Sequence, residues 1–240
     1  MATKRVQIDG VGEVALYKRR GLKAMKLSIR ANGEVRVSLP SYVPYQAAVQ
    51  FVQAKRGWLE AHRPPADAVL ENAQAIGKQH TLRFTTSFHS DAIKSRLSGS
   101  EIQVTHPSGL QSDDPAVQKT AAAAAVRALR AEAEAILPSR VARLAAANGF
   151  VYKSVVIKKL TGRWGSCDQN HNIVLNLYLM QLPWELIDYV ILHELVHTRH
   201  LDHGSGFWNT FETHEPSAKA LRKRMRDYRP NILLPGLKQA

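Results

Sequence analysis

The stretch of this 240-residue chain best equipped for chemistry is His193-Glu194-Leu195-Val196-His197. It reads H-E-x-x-H. Residues four apart on a helix lie one above the other on a single face, so both imidazoles can reach one Zn²⁺ from the same side. Glu194 is then positioned to take a proton from a metal-bound water. The bland alternative is a helix with two partly buried histidines. A structural zinc site wants four protein ligands, usually with cysteines, whereas a catalytic one wants three and an open position. The chain has one cysteine, which argues for the second kind.

A third ligand should come next. His200 and His203 both lie after the pentad. On a continued helix His200 would sit on the same face as the first two. Three ligands strung along one helix axis do not converge on a tetrahedral ion, so His200 reads as a surface or supporting histidine. His203 lies directly before Gly204, a helix-stop signal where the chain can turn and bring an imidazole back. Its spacing from His197 equals that of the last histidine in H-E-x-x-H-x-x-G-x-x-H, with His200 in place of the glycine. The expected metal ligands are therefore His193, His197 and His203, holding one Zn²⁺ per chain.

These residues need a helix to present them. Pro183 opens it, and Leu186, Ile187, Val190, Ile191 and Leu195 recur at helical spacing. Before it, Val151–Leu160 reads as a strand, Arg163-Trp164-Gly165-Ser166-Cys167 as a tight Gly-centred loop, and Asn172–Met180 as a second strand. After it, 205–228 reads as one final helix. Upstream, Asp113-Asp114-Pro115 starts an Ala-rich helix that Pro138 interrupts and Asn148-Gly149 caps. The first 110 residues read as short strands around one helix at 45–62, with Ala31-Asn32-Gly33 as a hairpin signal and Pro64-Pro65 closing the helix. The expected fold class is α+β: a β-rich subdomain over 1–110 and a zincin-like subdomain over 111–240.

Composition bounds the rest. No run of 18 apolar residues exists, so no membrane span is expected. The opening MATKRVQIDG lacks the apolar core of an export signal, and a single cysteine excludes an internal disulfide framework, so a cytoplasmic location is expected. The net charge of +13 sits at the ends: residues 1–36 hold nine Lys/Arg against three acids, and 219–240 hold seven against one. Such basic ends are compatible with contact to nucleic acid or a nucleotide, although no ordered nucleic-acid motif is present.

Arg163-Trp164-Gly165-Ser166-Cys167, the H-E-L-V-H pentad, His203 and Phe207-Trp208 together resemble the YgjP-like family of predicted zinc metallopeptidases. That family is similar to the SprT and WLM metallopeptidases and, more distantly, to minimal gluzincins. The resemblance spans nearly the whole chain. It implies a peptide or protein substrate, zinc on His193, His197 and His203, and Glu194 as the catalytic acid/base. The gluzincin likeness keeps Glu212 or Glu215 open as a third ligand. Beside the metal, Arg163 is a candidate to stabilise an oxyanion or bind a substrate carboxylate or phosphate, against a purely bracing role for Arg163 and Trp164. Cys167 is a candidate redox-sensitive inhibitor or simply a small buried hydrophobe. Tyr178, Tyr189 and His171 are further candidate donors. Two rival functions remain: the same site hydrolysing a nucleotide phosphoanhydride, or a nucleic-acid-associated protein or protease using the basic surface.

Overall fold

The computed structural model describes residues 3–29, 34–62, 69–160 and 162–228. The hairpin signal at 31–33, Pro64-Pro65 and the tail from 229 lie outside them. No helix among the described residues is long and apolar enough to cross a membrane. After Ala68 the chain divides into two compact units.

The first unit is a four-stranded sheet with two helices. Strands β1 (Thr3–Ile8), β2 (Gly12–Arg19), β3 (Lys26–Ile29) and β4 (Val35–Pro40) lie in the order β1-β2-β4-β3. Alternation decides the faces: Val14 and Leu16 pair with Val35 and Val37, and these point into a core with Ala48, Val52 and Leu59. The helix expected over 45–62 is two, α1 (Tyr45–Ala54) and α2 (Arg56–His62), broken at Lys55.

The second unit begins with another four-stranded sheet: β5 (Ala75–Ile76), β6 (His80–Ser87), β7 (Lys94–Ser98) and β8 (Glu101–Pro107). Its order, β5-β6-β8-β7, repeats that of the first sheet, including the parallel central pair. Helix α3 (Pro115–Asn148) covers it with Val117, Ala121, Ala124, Ala125, Ala128 and Leu129, all buried. This differs from the division expected at 110/111. The apolar stripe of the Ala-rich helix is the other half of that sheet's core, so β5–β8 groups with α3 and the C-terminal half of the chain. Asp114 caps α3 by accepting from Ala116 N, and Gly149 ends it with φ 66, a left-handed cap that glycine takes without strain. Pro138 lies inside α3 and does not end it. Buried Leu137 and Val141 on either side hold the two halves in line.

The rest of this unit builds the site. Strand β9 (Ser154–Lys158) pairs parallel to β11 (Asn172–Asn176), and β10 (Gly165–Cys167) pairs antiparallel to β11 at the sheet edge. The second half of the Gly-centred loop is thus a strand. The strand expected over Asn172–Met180 stops at Asn176, where a 3-10 turn over Leu177–Gln181 takes over. Helix α4 (Trp184–Val196) comes next. The single final helix is also two, α5 (Ser205–His214) and α6 (Ala218–Asp227), because Pro216 cannot continue a helix. The α+β class holds, with a small sheet set against the helix that carries the pentad.

Candidate metal centre

His193 and Glu194 sit in the last turn of α4. His197 is the residue that ends it, with its N–H donated back to His193 O at 3.3 Å. The chain leaves the helix there, not at Gly204, which instead starts α5. The linking loop carries His203 back over the helix end. Nε2 of His203 lies 3.0 Å from Nε2 of His193, and the three ring centroids form a near-equilateral triangle of 4.9, 5.0 and 4.7 Å. Phe207, 1% exposed, lies 4.7–4.9 Å from each of the three rings and backs the cluster from α5.

One ligand atom from each of the three histidines falls within 4.8 Å of the others, and they are the one such group of possible metal ligands among the described residues. Two nitrogens each about 2.0–2.1 Å from a tetrahedral ion lie about 3.3 Å apart, close to the observed His193–His203 separation. The Nδ1 of His197 meets the carbonyl oxygen of His200 at 2.8 Å, which leaves its Nε2 for the cluster. Such a partner fixes the tautomer of a liganding histidine. Burial, reinforced by His197, His203 and Arg222, pushes His193 down to about 3; burial also lowers His197. His193 and His197 are thereby biased toward the neutral imidazole that a metal requires. Glu194 gives the matching signal. Its Oε2 is buried without a hydrogen-bond partner, and burial lifts its carboxyl to about 8 against the opposing pull of Arg163. A buried acid with an unpartnered oxygen beside three converging imidazoles is a donor set suited to a cation. The residues fit one divalent ion.

The R-W-G-S-C segment has a physical reading in this setting. A Cβ placed on Gly165 would lie 2.6 Å from Glu194 Oε1, so only glycine lets β10 pass this close to the carboxylate. Asn176, wholly buried, holds the approach to β10: its Nδ2 donates to the carbonyls of Leu160 and Arg163, and its N–H donates to Trp164 O. Arg163, Trp164, Gly165, Ser166 and Cys167 all line a pocket of about 700 Å³ that opens onto the histidines.

The other candidates separate cleanly. Tyr189 lines the pocket, with burial raising its phenol, while Tyr178 is buried in the 3-10 turn away from it. His171 is a left-handed turn residue (φ 59) between β10 and β11. His200 braces α5 through Nε2 to Thr210 Oγ1 at 2.9 Å. Glu212 pairs with Lys219, and Glu215 accepts from Ser217 N; neither joins the histidines. Cys167 is half-buried, and desolvation with the charge of Glu194 lifts its thiol to about 11. Arg222, on α6, also lines the pocket. Sequence reasoning misses it because one helical period runs through the break at Pro216 that aims it there.

The sequence pattern of the family described as "YgjP-like, metallopeptidase domain" matches residues 23–228. Among solved structures, the metallopeptidase zymogen abylysin of Pyrococcus abyssi is 22% identical, over 38% of this chain and 93% of its own, with a TM-score of 0.36. The zymogen jannalysin of Methanocaldococcus jannaschii is likewise 22% identical, over 35% of this chain and 88% of its own, with a TM-score of 0.32. No curated protein matches the chain.

Proposed function

The chain belongs to the YgjP-like metallopeptidase family, and we propose that it is a zinc-dependent peptidase with His193, His197 and His203 as the metal ligands and Glu194 as general base and acid. The observation that carries this reading is the buried Glu194 carboxyl, with Oε2 unpartnered, beside three converging imidazoles. When bound, Zn²⁺ supplies a Lewis acid that polarises a carbonyl and lowers the pKa of water to about 7. Glu194 takes the proton of the attacking water on its carboxylate and returns it to the leaving amine. Arg163, which lines the same pocket, donates N–H bonds to the oxygen that gains charge. The substrate chain pairs with the free edge of β10, the edge-strand mode of peptide recognition, which lays the scissile bond across the histidines.

Metal content, measured by mass spectrometry on the purified wild type and on His203→Ala, tests the ligand set. About one zinc per chain, lost in the variant, is the expected result. A folded wild type that takes up no added zinc overturns the assignment.

A further inference from the structure

Two guanidiniums line the pocket, and neither is held in an ion pair among the described residues. In the same unit Arg140 forms a two-pronged pair with Asp188, Arg130 pairs with Glu134, and Arg83 pairs with Glu101. Arg163 and Arg222, by contrast, meet no carboxylate within ion-pair distance among the described residues. The pocket's one lining carboxylate is the buried Glu194. Arg222 is also held in a particular way. Its guanidinium lies over the ring of Trp208, 4.6 Å from the centroid, and Trp208 in turn packs 6.1 Å from the ring of His203 and 6.4 Å from that of His193. Stacking uses the face of a guanidinium and leaves its N–H edge free for in-plane hydrogen bonds. A flat, pre-placed fork beside a reacting centre is suited to a two-oxygen anion.

We propose that Arg222, with Arg163, forms an anion subsite that selects peptides carrying a carboxylate close to the scissile bond. The substrate class rests on the peptidase reading above; the anion preference rests on the two unpaired arginines. Arg222 is a specificity-determining residue here, and Trp208 is the platform that positions it. A peptide carboxylate can come from an acidic side chain or from a free C-terminus, and both present the same two oxygens.

Binding by the zinc-loaded full chain carrying Glu194→Gln, which holds substrate without turning it over, separates these sources. The probes are an alanine-rich octapeptide with one Glu walked along it, the same series with Gln, both amidated, and the Gln series with a free C-terminus. Titration calorimetry should show at least one carboxylate-bearing form binding on the order of tenfold tighter than its neutral match. Adding Arg222→Gln should bring that ratio to within about twofold. Adding Arg222→Lys should recover only part of it, since an ammonium neither stacks nor forks. Equal binding of all three series overturns the proposal, as does a double variant that weakens every peptide alike. Hydrolysis of a nucleoside triphosphate by the wild type without cleavage of any peptide would also overturn it, in favour of a phosphate occupant. If Arg222→Gln does not fold, judged by zinc content and melting, Arg163→Gln on the same background carries the same comparison. The peptidase reading fails separately: carboxylate discrimination would persist while the zinc-loaded wild type cleaves none of the peptides.

Discussion

Glu132 on α3 and Glu194 on α4 are both buried, 2% and 5% exposed, and each passes a glycine so closely that a Cβ there would strike the carboxylate, Gly77 in the first case and Gly165 in the second. Their hydrogen bonding is opposite. Glu132 accepts from the backbone N–H groups of Lys78, Gln79 and His80 and meets Nδ1 of His80 at 2.6 Å, so both of its oxygens are engaged. Glu194 keeps Oε2 without a partner. A buried carboxylate with all its donors is a joint: it ties the turn before β6 to the long helix. A buried carboxylate with an unpartnered oxygen is held at a cost that a proton, a cation, a water or a substrate must offset. Burial alone does not separate structure from chemistry in this molecule; the count of donors does.

Four substitutions or measurements test that contrast. The largest effect is expected from Glu194→Gln. Peptide hydrolysis should fall by about a thousandfold, within the range for loss of a general base, while zinc content stays near one per chain. Full activity in this variant would refute Glu194 as the base. Glu132→Gln should do the reverse. It keeps the site but turns an amide toward three N–H donors, costing about 3 kcal/mol in urea unfolding; a stability unchanged from wild type would mean the joint carries no load. Gly165→Ala comes next. The new methyl must push the Glu194 side chain aside, so kcat should drop by about 10- to 100-fold at unchanged zinc content. The mildest test is chemical and uses the one thiol. In metal-free protein Cys167 should alkylate about a hundredfold more slowly at pH 8 than an ordinary thiol, because two pH units separate about 11 from 9.0. The rate should climb with a midpoint near 11, and Glu194→Gln should move that midpoint down, since removing the carboxylate charge favours the thiolate. The same shift has a stability consequence: a raised folded pKa means that stability is lost as pH rises from about 9 to about 11.

Legibility tracks the range of the interaction that matters. The pentad, the return of His203, the Asp114 and Gly149 caps of α3 and most strands of the two large sheets are readable because spacing, capping and alternation are local, whereas the two-residue β5 is not. Pro216 is as visible as any signal, yet the apolar positions on both sides of it fit one helical period, which hides the break that delivers Arg222. Pro138 misleads in the other direction, since buried neighbours hold α3 continuous across it. β10 cannot be seen as a strand at all: three residues have no period, and only pairing with β11 defines them. Glu132 looks like one more solvent-facing acid in an alanine helix, because its partners lie some fifty residues away. The boundary after residue 110 reflects composition, whereas the contacts reflect which helix covers which sheet.

The shortness of β10 also sets a ruler. At about 3.3 Å per residue, Gly165–Cys167 offers roughly 10 Å of backbone for a substrate to lie along. That grips about three residues of an extended chain, too few for main-chain pairing alone to hold a ligand tightly. On the proposed edge-strand reading, selection among sequences is left to the side chains that rim the pocket, and a substrate protein must first surrender a short extended segment. The proposed edge-strand reading thus predicts cleavage in exposed loops and frayed ends rather than in folded helices or paired strands.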